Sequence, residues 1–140
     1  MTDFFDNEVR YVGILRRHMV KALDSELSPH ELGHGSYKYV YALLYQEGVT
    51  QKSLAERVGD DKAAATRVLA RLQAQGLIRR LPDPNDGRAT LIYLTDEGRS
   101  KRDIIKLALN RASDAITTGL TAQERSNLRA LLKKAALPLV

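Results

Sequence analysis

The chain has 140 residues, 44% of them hydrophobic and 28% charged, with a formal net charge of +5 and no cysteine. That length and composition fit one globular core with room for projecting helices, and the lack of cysteine excludes disulfides, thiolate metal sites and thiol-based redox sensing. The start MTDFFDNEVR carries acids where a signal peptide needs bases, and the longest apolar run, Tyr39 to Tyr45, is too short for a bilayer, so a cytoplasmic protein that contacts no membrane is expected.

The first predicted element is a helix from Phe4 to Leu27. Phe5, Val9, Val12, Ile14, Leu15, Met19, Val20 and Leu23 fall on more than one of its faces, interrupted by Arg16, Arg17 and His18. A helix apolar on several sides needs more than one neighbour. Ser28-Pro29, Gly33 and Gly35 break the pattern, and a second helix follows over Ser36–Gln46, with Tyr37, Val40, Tyr41 and Leu44 expected on one face and Gly48 as its stop.

Thr50 can cap a short helix to Val58, Gly59-Asp60-Asp61 supplies a tight turn, and Asp61 caps a further helix to about Gln75. Leu54, Ala55, Val58, Ala65, Val68, Leu69 and Leu72 then make one inward face, with small Ala55 where the helices approach closely, which is the spacing of a helix-turn-helix. Gly76 stops the second helix, and Leu77–Leu81 and Ala89–Leu94 read as strands, the latter alternating Thr90, Ile92, Leu94 against Leu91, Tyr93. Thr95 caps a long helix to about Thr118, Gly119 closes it, and Thr121 to Glu124 is a capping box for a last helix to about Ala136. The expected fold class is mainly α with a small two-stranded β-wing.

Residues 1–30 sum to −1, whereas Thr50–Thr90 holds eight Lys/Arg against five Asp/Glu and residues 103–140 hold a second surplus of three. Basic patches steer polyanions, but two such patches mean that charge alone does not locate a nucleic-acid footprint.

A hairpin directly after a helix-turn-helix is a wing, and an exposed arginine at its tip suits the negative potential of a narrow DNA minor groove. Arg88 is that arginine. Pro82 and Pro84 would stiffen the approach, Gly87 would permit a positive φ, and Asp86 would hold the guanidinium through a charge-assisted hydrogen bond. In isolation such a turn is an ordinary solvated loop; its place after the helix pair gives it a function. On the second helix of the pair, Ala63, Ala64, Thr66, Arg67, Ala70, Arg71 and Ala74 face outward at about 100° per residue. This alanine-rich face suits close groove approach, with Arg67 for a guanine edge and Thr66 for a thymine methyl or a phosphate. Lys52, Ser53, Lys62, Arg71, Arg79 and Arg80 are the expected phosphate contacts, though simple solubility accounts equally well for any one basic residue.

The segment SLAERVGDDKAAATRVLARLQAQGLIRRLPDPNDGRATLIYLTDEGR, Ser53 to Arg99, closely resembles the MarR family of bacterial winged-helix transcription regulators. The combination L-A-E-R, D-K, T-R, G-L-I-R-R, D-P-x-D-x-R and L-T-x-x-G carries the resemblance. It implies a sequence-specific DNA-binding regulator without cofactor: a homodimer with interlocked terminal helices, each subunit placing one helix in a major groove and one wing in a minor groove. Its wing arginine falls on Arg88, the supporting acid on Asp86, and the recognition-helix pair on Thr66 and Arg67; Ala63 and Ala64 stand where many members carry Ser or Thr. Residues 1–140 would form one domain, with 36–95 as the DNA-binding lobe and 4–27 and 96–137 as dimerisation helices. The surplus of apolar residues from Ile104 to Ile116 and from Leu128 to Leu137 argues separately for association, and two-fold symmetry then predicts a pseudo-palindromic operator.

The resemblance also implies a repressor released by a small aromatic or phenolic acid held between the dimer helices and the lobe. Candidate lining groups are Arg16, Arg17 and His18 with Tyr37, Tyr41 and Tyr45, for which core packing and pairing with acids are the structural alternatives. A metal-responsive regulator is another alternative, because His18, Glu26, His30 and His34 are zinc-compatible ligands, although Pro29, Gly33 and Gly35 disrupt the helix that would give His30 and His34 their spacing. A winged-helix interaction module without sequence-specific binding is a third. There is no Gly-rich phosphate loop and no paired carboxylates beside a histidine, so no enzyme is expected.

Overall fold

The computed structural model describes residues 4–140. Helix α1, Glu8–Leu27, begins where the Asn7 side chain accepts the Arg10 backbone N–H at 3.1 Å, later than the Phe4 start expected. Its cover increases along the helix: Val9, Tyr11 and Val12 are exposed, Ile14 and Leu15 half-buried, and Leu23 and Leu27 buried. A single 3-10 turn, Ser28–His30, follows, and Glu31 and His34 then adopt left-handed φ values of 62° and 55°.

Helix α2, Tyr37–Tyr45, buries Val40 and half-buries Tyr37 and Leu44 of the expected face, but its inward face is rotated to take in Tyr39, Ala42 and Leu43 and to leave out Tyr41. Tyr39, Val40, Ala42 and Leu43 are buried, and Tyr41 is 51% exposed. The run is apolar all round, so periodicity cannot choose its face. The contacts of α2 with α3, α6 and the ribbon choose it instead.

Helices α3, Gln51–Val58, and α4, Lys62–Ala74, form the helix-turn-helix with the expected caps. Thr50 Oγ1 accepts from Ser53 N–H, Asp61 Oδ1 from Ala64 N–H, and Gly59 turns the chain at φ 80°. Every position expected inward is buried or half-buried. Strands β1, Ile78–Asp83, and β2, Asp86–Leu94, pair antiparallel with Ile78 opposite Leu94 and Arg80 opposite Ile92. Val49 adds a bridge to Ile92 at the ribbon's root.

The expected long helix after Thr95 is two pieces, α5, Asp96–Ser100, and α6, Arg102–Ala115, meeting at Lys101. Thr95 ties the break down: its hydroxyl donates to Gly76 O and accepts from Gly98 N–H. A Cβ on Gly98 would lie 2.1 Å from Leu77 O, so this crossing of the ribbon's root admits glycine only. Helix α7, Ala122–Ala136, opens with the capping box of Thr121 and Glu124.

One buried cluster joins α1 to α4, the ribbon and α6: Leu27 from α1, Tyr39 and Leu43 from α2, Leu54 from α3, Leu69 and Leu72 from α4, Ile92 and Leu94 from β2, and Ile105 from α6. Helices α1 and α6 lie side by side, with Arg111 on Glu26 at 2.9 Å. Helix α7 buries no residue; Arg125 pins its first turn to Asp114 and Ser113 of α6. Among the described residues, no helix is long and apolar enough to cross a membrane.

Candidate nucleic-acid interface

Once Ala65, Leu69 and Leu72 enter the core, 3.6 residues per turn send Ala63, Thr66, Arg67, Ala70, Arg71 and Ala74 outward, and all six are exposed. Ala64 is half-buried, its N–H taken by Asp61. Lys52 and Lys62 are exposed and Ser53 half-buried, Lys52 and Lys62 lining one surface hollow between α3 and the start of α4. Thr66 is less free than its exposure suggests. Its hydroxyl donates to Lys62 O at 2.8 Å and accepts from Gln51 Nε2 at 2.8 Å.

The wing departs from expectation in four details. Pro84 and Asn85 alone form the turn, with Asn85 N–H held by Asp83 Oδ1 at 2.9 Å, so Arg88 sits on β2 past the turn rather than at the tip. Gly87 is not among the glycines with positive φ, because it lies in the extended strand. Asp86 Oδ1 accepts the Arg88 backbone N–H at 3.1 Å; it shapes the backbone and does not grip the guanidinium. Arg80 is the fourth.

Register explains Arg80. Ile78, Leu94 and Ile92 face the core, and period-two alternation puts Arg80, opposite Ile92, on that same side. Arg80 is half-buried, its Nε donating to Gln73 Oε1 and its Nη1 to Gln51 Oε1, both at 3.0 Å, so the expected phosphate contact is an internal strut. Arg79 faces the other way, exposed, with its guanidinium 5.9 Å from the Tyr93 ring.

Several fixing groups were not anticipated. Gln51 and Gln73 are two of them. Glu47 accepts both Leu94 N–H at 2.7 Å and the Arg99 guanidinium at 2.9 Å, tying α2 to the ribbon's root and α5. Tyr39 donates its hydroxyl to Asp60 in the turn before α4, and burial followed by this bond pushes its pKa up, so the phenol stays a donor. Single polar residues at element ends carry no periodic signal, so only their three-dimensional partners reveal them.

Of the expected effector residues, Arg16 and Tyr37 line one cleft of ≈ 470 Å³ beside α1, with Leu23, Asp24, His34 and Lys38. Burial and the nearby Asp24 carboxylate raise the Tyr37 pKa. Arg17, His18 and Tyr41 are exposed and do not line it; Tyr45 is 89% exposed. Lys38, unforeseen, supplies a cation instead of Arg17. A second recess of ≈ 400 Å³ shares His34 and Lys38 and reaches Arg67 and Arg71 of α4.

The metal alternative loses its ligand set. Helix α1 ends at Leu27, so His30 and His34 share no helix, Glu26 is engaged by Arg111, and among the described residues no three His, Asp or Glu groups are placed to hold an ion.

The sequence model of the MarR family matches residues 32–90, spanning α2 to the wing. The multiple antibiotic resistance protein MarR of Escherichia coli K12 is 33% identical over 139 residues, covering 95% of each chain. A cysteine-to-serine mutant of the E. coli protein in complex with operator DNA superposes with a TM-score of 0.78 at 30% identity over 96% of this chain and 99% of that one. CouR from Rhodococcus jostii RHA1, bound to p-coumaroyl-CoA, superposes with a TM-score of 0.82 at 27% identity over 99% and 97%. With a full-length relative at this identity and a winged helix-turn-helix that superposes along its whole length, the chain belongs to the MarR family of transcriptional regulators.

Proposed function

We propose that this protein is a homodimeric, sequence-specific DNA-binding repressor released by a small aromatic or phenolic acid. The observation that carries the DNA reading is the joint exposure of Arg67 and Arg71 on α4 and Arg88 on β2, from two elements rooted in one core. Arg67 reads a guanine edge, Thr66 meets a thymine methyl or a phosphate, and Arg88 enters the minor groove, while Lys52, Ser53, Lys62, Arg71 and Arg79 hold phosphates, near the alanine surface of Ala63 and Ala64. That a mutant of the E. coli relative forms a complex with operator DNA supports DNA binding by this chain. Residues 36–95 serve as the DNA-binding lobe.

Residues 4–27 and 96–137 serve the dimer. A lone amphipathic helix of about 15 residues is marginal in water, and α7 leaves Leu131 and Leu132 64% and 47% exposed while the start of α1 leaves Val9 83% exposed. A second copy covers both. The effector cleft is the Arg16, Tyr37 and Lys38 hollow, where cations and a phenol donor meet apolar side chains; the relative that holds p-coumaroyl-CoA, a thioester of a phenolic acid, supports a ligand with a phenolic ring. Because His34 and Lys38 line both this cleft and the recess beneath Arg67, a bound anion would bias the cations that DNA needs.

The test is titration at fixed salt of a duplex selected from a random pool against an unselected duplex. A specificity ratio of about a thousand or more is expected, and a ratio near one excludes the sequence-specific regulator.

A further inference from the structure

Recognition helix and wing must meet one duplex together, and a directional chain of hydrogen bonds joins their roots. Arg80 of β1 donates to Gln51 Oε1, Gln51 Nε2 donates to Thr66 Oγ1, and Thr66 Oγ1 donates to Lys62 O, with distances of 3.0, 2.8 and 2.8 Å. A second guanidinium donor, Arg80 Nε, reaches Gln73 Oε1 on the same helix. The chain fixes which end of the Gln51 amide is which, because guanidinium can only donate and the backbone carbonyl can only accept.

It also decides what Thr66 can offer. A hydroxyl has one proton, and that proton is spent on Lys62 O. A phosphate, which only accepts, finds no donor there. The methyl remains.

We propose that Gln51 is a positioning residue for base reading: held by Arg80, it locks the Thr66 hydroxyl against its own helix and leaves the methyl to contact a thymine 5-methyl group. This rests on the DNA-binding reading above and selects between the two roles open to Thr66. It also gives Arg80 a task in specificity without any contact to DNA.

The experiment uses the full chain and a duplex selected from a random pool by the wild-type protein, with each thymine of a half-site replaced in turn by deoxyuridine, which lacks only that methyl. At one thymine the wild type should lose about fourfold in affinity, the worth of one buried methyl-sized group. Thr66→Ser keeps the hydroxyl and should lose that sensitivity. Gln51→Met, nearly isosteric and without hydrogen bonds, should reduce it below about twofold while affinity for an unselected duplex stays unchanged. Gln51→Ala gives the same readout should the methionine variant fold poorly. Full methyl discrimination in a folded Gln51 variant overturns the proposal, as does a wild type that is specific yet indifferent to every thymine methyl. A wild type with no specificity at all overturns the DNA reading itself, a distinguishable result.

Discussion

The winged lobe and the chain ends obey opposite economies of surface. In the lobe, apolar side chains of α2, α3, α4 and the ribbon converge on one buried cluster, and Glu47, Tyr39, Gln51 and Arg80 stitch its elements together. At the ends, α7 buries nothing and the first turns of α1 carry Val9, Tyr11 and Val12 in the open. Thr50–Thr90 and residues 103–140 each hold a basic surplus of three, yet the lobe sets exposed cations among the exposed alanines of α4, on elements rooted in a closed core. Charge is therefore no guide to the interface; the scaffold beneath the charge is. An apolar face left uncovered marks association, whereas cations on a closed core mark a surface made to be met by a polyanion.

The largest expected effect breaks the ends and spares the lobe. Leu131→Asp combined with Leu132→Asp should raise the dimer dissociation constant by about 100-fold or more, since two-fold symmetry counts each lost leucine twice and the 64% and 47% of them still open in one protomer are a share of the roughly 1.5–3 kcal/mol that full burial of a leucine contributes. Sedimentation velocity should show monomer, and the melting temperature should lose its dependence on protein concentration. An unchanged dimer would place the interface elsewhere.

Next comes a break in the lobe alone. Gly98→Ala sets a methyl 2.1 Å from the Leu77 carbonyl, a backbone group that cannot step aside. Thermal or urea unfolding should show a loss of about 3 kcal/mol, the upper part of the overpacking range. A loss below about 0.5 kcal/mol would mean that the α5 crossing is loose.

The same contrast governs what sequence could reveal. Caps and periodic faces of α3, α4 and α7 are local patterns, so Thr50, Asp61, Thr121 and the inward set Leu54, Ala65, Leu69 and Leu72 fell where the pattern put them. Tyr39 was missed because α2 is apolar all round and its neighbours choose the face. Gly98 stands in the L-T-x-x-G motif, but the motif does not show why, because its constraint is a carbonyl 21 positions earlier in the chain. Arg80 is different: it faces inward because it pairs opposite Ile92, a register set by the hairpin with its irregularity between Pro82 and Asp83, whereas Leu77 and Leu81 on the other parity leave the strand's own pattern undecided.

On the DNA-facing side, Arg88→Ala should weaken binding to a selected duplex by about ten- to hundredfold while the oligomeric state and melting temperature hold. Arg88 is exposed, and only its backbone N–H is held, by Asp86, so its removal leaves the fold intact. Equal affinity in fluorescence anisotropy would remove the wing from recognition.

The smallest effect separates two neighbours. Arg79 points out over Tyr93 and Arg80 points in to Gln51 and Gln73, although both were expected on phosphates. Each phosphate neutralised contributes about 0.9 to the slope of log affinity against log salt. Arg79→Ala should therefore make that slope shallower by about one and weaken all duplexes alike, with stability nearly untouched. Arg80→Ala should leave the slope close to wild type and instead lower stability by about 1 kcal/mol, because Gln51 and Gln73 lose a shared donor. Should the two variants change the slope equally, strand parity would not be what sorts DNA-facing from core-facing arginines in this wing.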